Sequence, residues 1–219
     1  YYGVMLLGYC VLNRPKKAKK PLVYTARVKR LLGTSAVLYV LALIPGLLLP
    51  YGMAIFGVVL LCTPLVVLLA NFINTPVEKM VARYYVEDAR KKLQSMPGLT
   101  VIGVTGSFGK TSTKYFLNTL LSTKYHVLMT PGNYNTTLGV VRTVREMLSP
   151  THQIFLCEMG ARHKGDIKEI CDLVHPRYGI ITAIGEQHLE SFGTVDTIID
   201  TKFELYDAIP ADGLCFLNE

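Results

Sequence analysis

Residues 101–113 read VIGVTGSFGKTST, an apolar run that stops abruptly in a glycine-flanked turn carrying one lysine and several hydroxyls. Val101, Ile102 and Val104 suit a buried strand, and 111–121 (TSTKYFLNTLL) suits a helix, so residues 106–110 are expected at a strand-to-helix turn. The first amides of a helix have no intrahelical partner, and the helix dipole adds partial positive charge, so such a turn is suited to phosphate. Gly106 and Gly109 permit close backbone approach to an anion. Lys110 supplies a point charge for terminal phosphates, and Thr111 offers a hydroxyl to Mg²⁺. The spacing departs from G-x-x-x-x-G-K-[ST], because Val104 stands where that pattern needs glycine. The reading as a phosphate loop rests on the agreement of strand, turn, lysine, hydroxyls and helix in one place.

Downstream, strand-like and helix-like segments alternate: strands near 99–105, 126–130, 153–158, 178–184 and 214–217, helices near 110–122, 138–148, 165–174 and 194–208. This alternation predicts an α/β fold, a mostly parallel sheet with helices on both faces and ligands at the carboxyl ends of its strands. In IFLCEMGA, Glu158 ends an apolar strand, where a carboxylate is costly to bury unless it meets a cation; nucleotide-bound Mg²⁺ is the expected partner. In ITAIGEQHLESFG, His188 follows another strand in a glycine-bounded loop, a candidate metal ligand through neutral imidazole. Lys202, on a predicted helix, reads by itself as a surface lysine. Cysteines 10, 62, 157, 171 and 215 show neither a zinc-type spacing nor a disulfide framework and read as packing residues.

Upstream the composition changes. Residues 1–98 carry 13 Lys and Arg against 3 Asp and Glu, and 99–219 carry 10 against 13, so the net charge of +7 is concentrated in the first part. Because that charge lies next to apolar runs rather than interleaved with aromatic platforms, it argues against a nucleic-acid partner. Residues 1–12 are apolar but too short to span a bilayer, which takes about 20 residues. Residues 13–30 hold eight cations and no acid, as in a cytoplasmic membrane-flanking loop. From Leu31 to Val77 there is no charge at all, and Pro50, Tyr51 and Gly52 mark a turn, so two spans are expected near 31–49 and 53–73. An amphipathic connecting helix over 76–98 follows, with Pro76 in its first turn, and Pro97 and Gly98 mark the domain boundary before 99–219. A chain that opens on Tyr1 and stops just past a strand-like run is expected to be a piece of a longer one.

TGSFGKTSTK, TPGNYNTTLGV, EMGARHKGDI, IGEQHLESFG and TKFELYDAIPADGLCFLN follow one another in the order and spacing of the central ATP-binding domain of the Mur ligases. Residues 99–219 resemble that domain, and within the family the branch that adds D-alanyl-D-alanine. The loop spacing fits too, since TG[ST]xGKT is the family's form. The resemblance implies ATP and two Mg²⁺ ions. Thr105, Gly106, Ser107, Gly109, Lys110, Thr111 and Ser112 would hold ATP, with Lys110 on its phosphates. Thr111 and Glu158 would bind one Mg²⁺; His188 and a carbamylated Lys202 would bind the second. Asn133, Asn135, Thr136 and Thr137 would contact the muramoyl-peptide. Lys110, Lys202 and His188 are the implied catalytic residues.

The implied reaction is amide formation: a peptide carboxylate takes the γ-phosphoryl group of ATP, and an amine then displaces phosphate. The expected protein is a ligase of peptidoglycan precursor synthesis at the cytoplasmic face of a bacterial membrane. Its partners would be the bilayer, a UDP-linked or lipid-linked muramoyl-peptide, and D-Ala-D-Ala or a related amine. The sequence departs from the family in three ways. A membrane hairpin occupies the place of the uridine-gripping domain, Arg162 stands where asparagine is usual, and Val141 where proline is common. The competing class is a non-catalytic, membrane-tethered ATP-binding scaffold, against which the intact Lys110, Glu158, His188 and Lys202 argue. A transporter is disfavoured because the spans hold no intramembrane charge.

Overall fold

The computed structural model describes residues 23–186 and 189–218. Expectations for the apolar stub 1–12, for Arg14, Lys16, Lys17, Lys19 and Lys20, and for His188 lie outside those residues. The chain divides into two compact units, the first ending at Lys79 and the second beginning at Met80.

The first unit contains α1 (Ala26–Leu48), α2 (Gly52–Leu61) and the start of α3 (Thr63–Gln94). Thr25 caps α1 by accepting a hydrogen bond from the Val28 amide. Arg27, Lys29 and Arg30, expected in a loop, instead lie in the first turns of this helix. The chain reverses after Leu48, and Gly52 packs so closely on α1 that a Cβ would sit 2.6 Å from the Gly46 carbonyl oxygen. Polar side chains join α1 to α3 along an otherwise apolar surface. Arg30 pairs with Glu78 at 2.8 Å, Thr34 hydrogen-bonds Asn74, and the Tyr39 hydroxyl donates to Thr63.

α1 and α3 are long and apolar enough to cross a membrane by length and composition. Two boundaries differ from expectation. The stretch 53–73 is not one helix but breaks at Cys62, because Pro64 has no N–H for the Leu60 carbonyl and the Thr63 hydroxyl donates to that oxygen instead, at 2.6 Å. Pro76 does not start a separate connecting helix; it lies inside α3, which is continuous from Thr63 to Gln94. The second unit also begins before Pro97, because Ala89 is fully buried in its core with Val86, Leu93 and Met96 packed alongside.

The second unit continues with β1 (Thr100–Thr105), α4 (Lys110–Leu121), β2 (Val127–Met129), α5 (Thr137–Met147), β3 (Ile154–Glu158) and α6 (Asp166–Val174). It ends with β4 (Tyr178–Ile181), α7 (Leu189–Phe192), α8 (Val195–Asp207) and β5 (Leu214–Leu217). Only the four-residue α7 was not expected. The strands form one sheet in the order β2-β3-β1-β4-β5, and every pairing is parallel. Right-handed crossovers put α4 on one face and α5, α6 and α8 on the other. The packing agrees: α4 lies against β1, β2 and β3, while α6 touches both α5 and α8.

The α8 layer closes on the sheet through glycines. A Cβ on Gly103 would lie 2.7 Å from Leu205 Cδ1, and Gly179 faces the same side chain. Leu205 itself is fully buried. Leu205→Ala is expected to cost about 3 kcal/mol, since neither glycine can fill the space left behind; urea unfolding of variant and parent measures it. The fold thereby delivers three carboxyl ends to one edge. Val104 is in register with Glu158 and Thr105 with Ile181, and the chain departs in opposite directions on either side of β1, which opens a crevice there.

Candidate active site

The loop after β1 is built by strain that only glycine tolerates. Gly106 has φ +143° and would drive a Cβ into the Thr182 hydroxyl; Gly109 has φ +81° and caps α4. The loop after β4 braces it. The Ser107 amide donates to Ala183 O at 2.6 Å and its hydroxyl to Gly185 O at 2.9 Å. The Thr182 hydroxyl donates to Phe108 O at 2.6 Å and lies 3.1 Å from Thr105 O. Lys110 folds back over the loop, its Nζ donating to Gly106 O at 2.6 Å and Ser107 O at 3.1 Å. Burial lowers its pKa, with Glu158 opposing. Thr182→Val removes the brace without changing side-chain size. It is expected to weaken the loop's hold on a nucleotide phosphate about tenfold, as read by calorimetric titration of ADP.

Glu158 is 1% exposed. Mg²⁺ is the partner expected from sequence; the structure supplies a cation from the protein itself, for Lys114 Nζ, fully buried, lies 2.8 Å from Glu158 Oε2. Thr111 Oγ1 is 3.1 and 3.2 Å from the two carboxylate oxygens, and Asn135 Nδ2 donates to Oε1 at 3.2 Å. The Glu158 amide donates to Thr130 Oγ1. A hydroxyl and a carboxylate converging beside a phosphate loop form the sparse oxygen set that magnesium takes together with water and phosphate. Among the described residues no three His, Cys, Asp or Glu side chains converge. The hydroxyl of Thr111 and the carboxylate of Glu158 are the two donors that would fit Mg²⁺.

Across the crevice, a cavity of about 600 Å³ is lined by Lys110, Lys202, Asn133, Asn135, Thr136 and Arg162, among others. Lys202 is only 3% exposed, so it is not the surface lysine that its place on a helix suggests. Burial first, then the nearby charge of Lys110, lowers its pKa to about 8. Its helix is anchored beside the cavity: Glu204 accepts from the amides of Gly165 and Lys168, and Lys164 pairs with Asp200. Asp166 accepts from the Arg162 and His163 amides, shaping the loop that carries both.

Most of the residues singled out from sequence meet here. Thr105 and Ser107 do so as braces, the Thr105 hydroxyl donating to Met159 O. Thr136 caps α5. Ser112 is exposed in the first turns of α4. Thr137 does not line the cavity; its hydroxyl donates to Glu169 at 2.8 Å. Lys114 and Thr182 were missed. Lys114 is three residues beyond Thr111 and therefore on the same helical face, a signal present in GKTSTK. Thr182 left no signal, because its role depends on the pairing of β4 with β1. Burial raises the thiol pKa of Cys171 to about 12 and that of Cys157 well above its ordinary value, as suits packing residues.

With this geometry in view, the match to known proteins is direct. The Mur ligase middle domain model covers residues 104–219, and the chain belongs to the Mur ligase family. Among its relatives, the UDP-N-acetylmuramoyl-tripeptide–D-alanyl-D-alanine ligase of Mycobacterium bovis is 40% identical over 121 residues, 55% of this chain and 24% of the relative. The Bacillus subtilis enzyme of the same name is 40% identical over 126 residues, 58% of this chain and 27% of the relative. The structure resembles the MurF ligase from Thermotoga maritima in complex with ADP, with a TM-score of 0.59 and 36% identity, covering 62% of this chain and 31% of that one. MurF from Acinetobacter baumannii gives a TM-score of 0.59 and 35% identity over 62% of this chain and 30% of that one. The chain thus spans about a quarter of the length of these curated relatives.

Proposed function

We propose that this chain carries the nucleotide site of an ATP-dependent ligase that joins D-alanyl-D-alanine to the peptide carboxylate of a UDP-linked muramoyl tripeptide. The observation that carries this reading is the meeting of Lys110, Thr111 and Glu158 at one sheet edge, facing Lys202 across a cavity lined by Asn133, Asn135 and Thr136. On the other flank of the loop, a cavity of about 480 Å³ lined by Phe108, Thr113, Ile180 and Phe216 suits a purine base. The substrate carboxylate oxygen attacks the γ-phosphorus and ADP leaves; the incoming amine then attacks the acyl carbon, inorganic phosphate departs, and the amine nitrogen gives up a proton. Lys110 balances charge on the transferred group, and the cavity's asparagines and threonine orient the acceptor. Mg²⁺, held by Thr111 and Glu158, would supply further charge neutralisation and alignment. A buried amine with its pKa near 8 has a neutral fraction able to add CO₂ and release a proton, so Lys202 is read as the carbamylated residue. As a carbamate it would supply an anionic oxygen toward the second ion, with His188.

The two long apolar helices, with Arg27, Lys29 and Arg30 at one end, support placing the site at the cytoplasmic surface of a bacterial membrane. Flotation of the intact protein with vesicles, resistant to high salt, is the expected result. The test of activity is ADP release with UDP-linked or lipid-linked muramoyl tripeptide plus D-Ala-D-Ala. Turnover is expected with the UDP-linked acceptor, turnover with the lipid-linked one alone reassigns the acceptor, and turnover with neither refutes the ligase reading.

A further inference from the structure

The buried lysine of α4 has a place in the site that neither the phosphate loop nor the cavity explains. Lys114 is fully buried and makes two contacts to different parts of the site. It lies 2.8 Å from Glu158 Oε2 and donates to Gly132 O at 3.0 Å. Gly132 sits in the loop that carries Asn133, Asn135 and Thr136, and that loop meets the end of β3 again where Gly160 N donates to Asn135 O at 2.7 Å. A Cβ on Gly160 would lie 2.8 Å from Asn135 Cγ, so the loop is pressed directly onto the strand end.

We propose that Lys114 is a positioning residue that holds the Glu158 carboxylate charge-balanced before cation and nucleotide arrive and, through Gly132, fixes the acceptor loop at residues 131–136. This rests on the ligase reading for the identity of the cation and the loop's ligand. A carboxylate 1% exposed needs a counter-charge. Thr111 and Asn135 satisfy its hydrogen bonds but not its charge, and Lys114 is the one cation paired with it among the described residues. The same ammonium would repel a divalent cation held by that carboxylate. Removing it therefore weakens the cation-free protein and strengthens the stabilisation that a cation brings. A lysine that merely fills space has the first effect without the second.

The experiment compares thermal unfolding of the intact protein with ADP, in EDTA and in Mg²⁺, for the parent, Lys114→Met, and Lys114→Met combined with Glu158→Gln. Lys114→Met is expected to lower the Tm in EDTA by several degrees and to show about twice the parent's Mg²⁺-induced rise. Amide hydrogen exchange in residues 131–136 is expected to quicken about tenfold. The double variant, with neither charge buried, is expected to recover the Tm in EDTA and to lose the response to Mg²⁺. A Mg²⁺ response in Lys114→Met equal to the parent's, unchanged exchange in the loop, or failure of the double variant to recover overturns the proposal. A parent that shows no Mg²⁺ response at all instead counts against the ligase reading itself.

Discussion

Lys202→Ala is expected to cut turnover about a thousandfold while changing the KM for ATP only a few-fold. The side chain is 3% exposed and lines the same cavity as Lys110, so in the proposed reaction it would act on the phosphoryl group that Lys110 binds and not on the base. Left unmodified, its charge would oppose both a cation and Lys110; carbamylated, it reverses sign. Short carboxylates added to the alanine variant are expected to restore part of the rate, and removal of CO₂ to slow the parent but not the variant. A variant that turns over at the parent's rate removes Lys202 from the chemistry.

The same residue makes stability depend on pH. Its folded pKa of about 8 lies below the ordinary 10.5, so the folded state disfavours the charged amine. Below pH 8 the amine is charged in both folded and unfolded chains, and the fold carries a penalty on the order of 3 kcal/mol. As pH rises from 8 to 10.5 the folded amine loses its proton first and the penalty disappears. In CO₂-free buffer, stability attributable to Lys202 therefore rises across that window, and the rise is absent in Lys202→Ala. Urea midpoints of the two proteins as a function of pH measure it.

Lys110→Met is expected to lower the rate of phosphoryl transfer about a thousandfold in single-turnover measurements. Its stability should move the other way. Nζ is held by two carbonyls of the loop, Gly106 O and Ser107 O, and burial disfavours its charge. A methionine of similar length removes a poorly solvated ammonium from that place, so the Tm is expected to hold or rise slightly. Loss of rate with retained stability identifies a residue kept for function. Near-normal single-turnover rates would sink the assignment of Lys110 to the phosphates.

Much of this is legible in the sequence. Local pattern carries the strand-turn-helix at 100–121, because a strand's apolar run, two glycines and a helical period are all short-range signals. The alternation that followed implied a parallel sheet, and Glu158 stood out as a carboxylate with nowhere to go. The helix boundaries at Cys62 and Pro76 depart from the sequence pattern for opposite reasons. Pro64 breaks a helix that hydropathy alone would run through, whereas Pro76, which suits a helix start, lies in a segment whose neighbours continue the helix across it. Lys202 could not be placed by pattern, since burial of one lysine depends on what covers α8. Thr137 faces Glu169 instead of the cavity for a similar reason: one position along the first turn of α5 turns a side chain by about 100°.

The sequence by itself determined the chemistry on offer: a phosphate loop, a strand-end carboxylate, a set of motifs in Mur-ligase order, and long apolar helices before them. It did so because each of these is written in neighbouring residues. The strand order β2-β3-β1-β4-β5 came from the folded chain, and with it the things that depend on distant segments meeting. Lys114 became the counter-charge of Glu158, 44 residues away. Thr182 became the brace of a loop 74 residues before it, and Lys202 lost its water and with it part of its affinity for a proton. Burial and pairing at that separation are properties of the packed sheet, which no local period encodes.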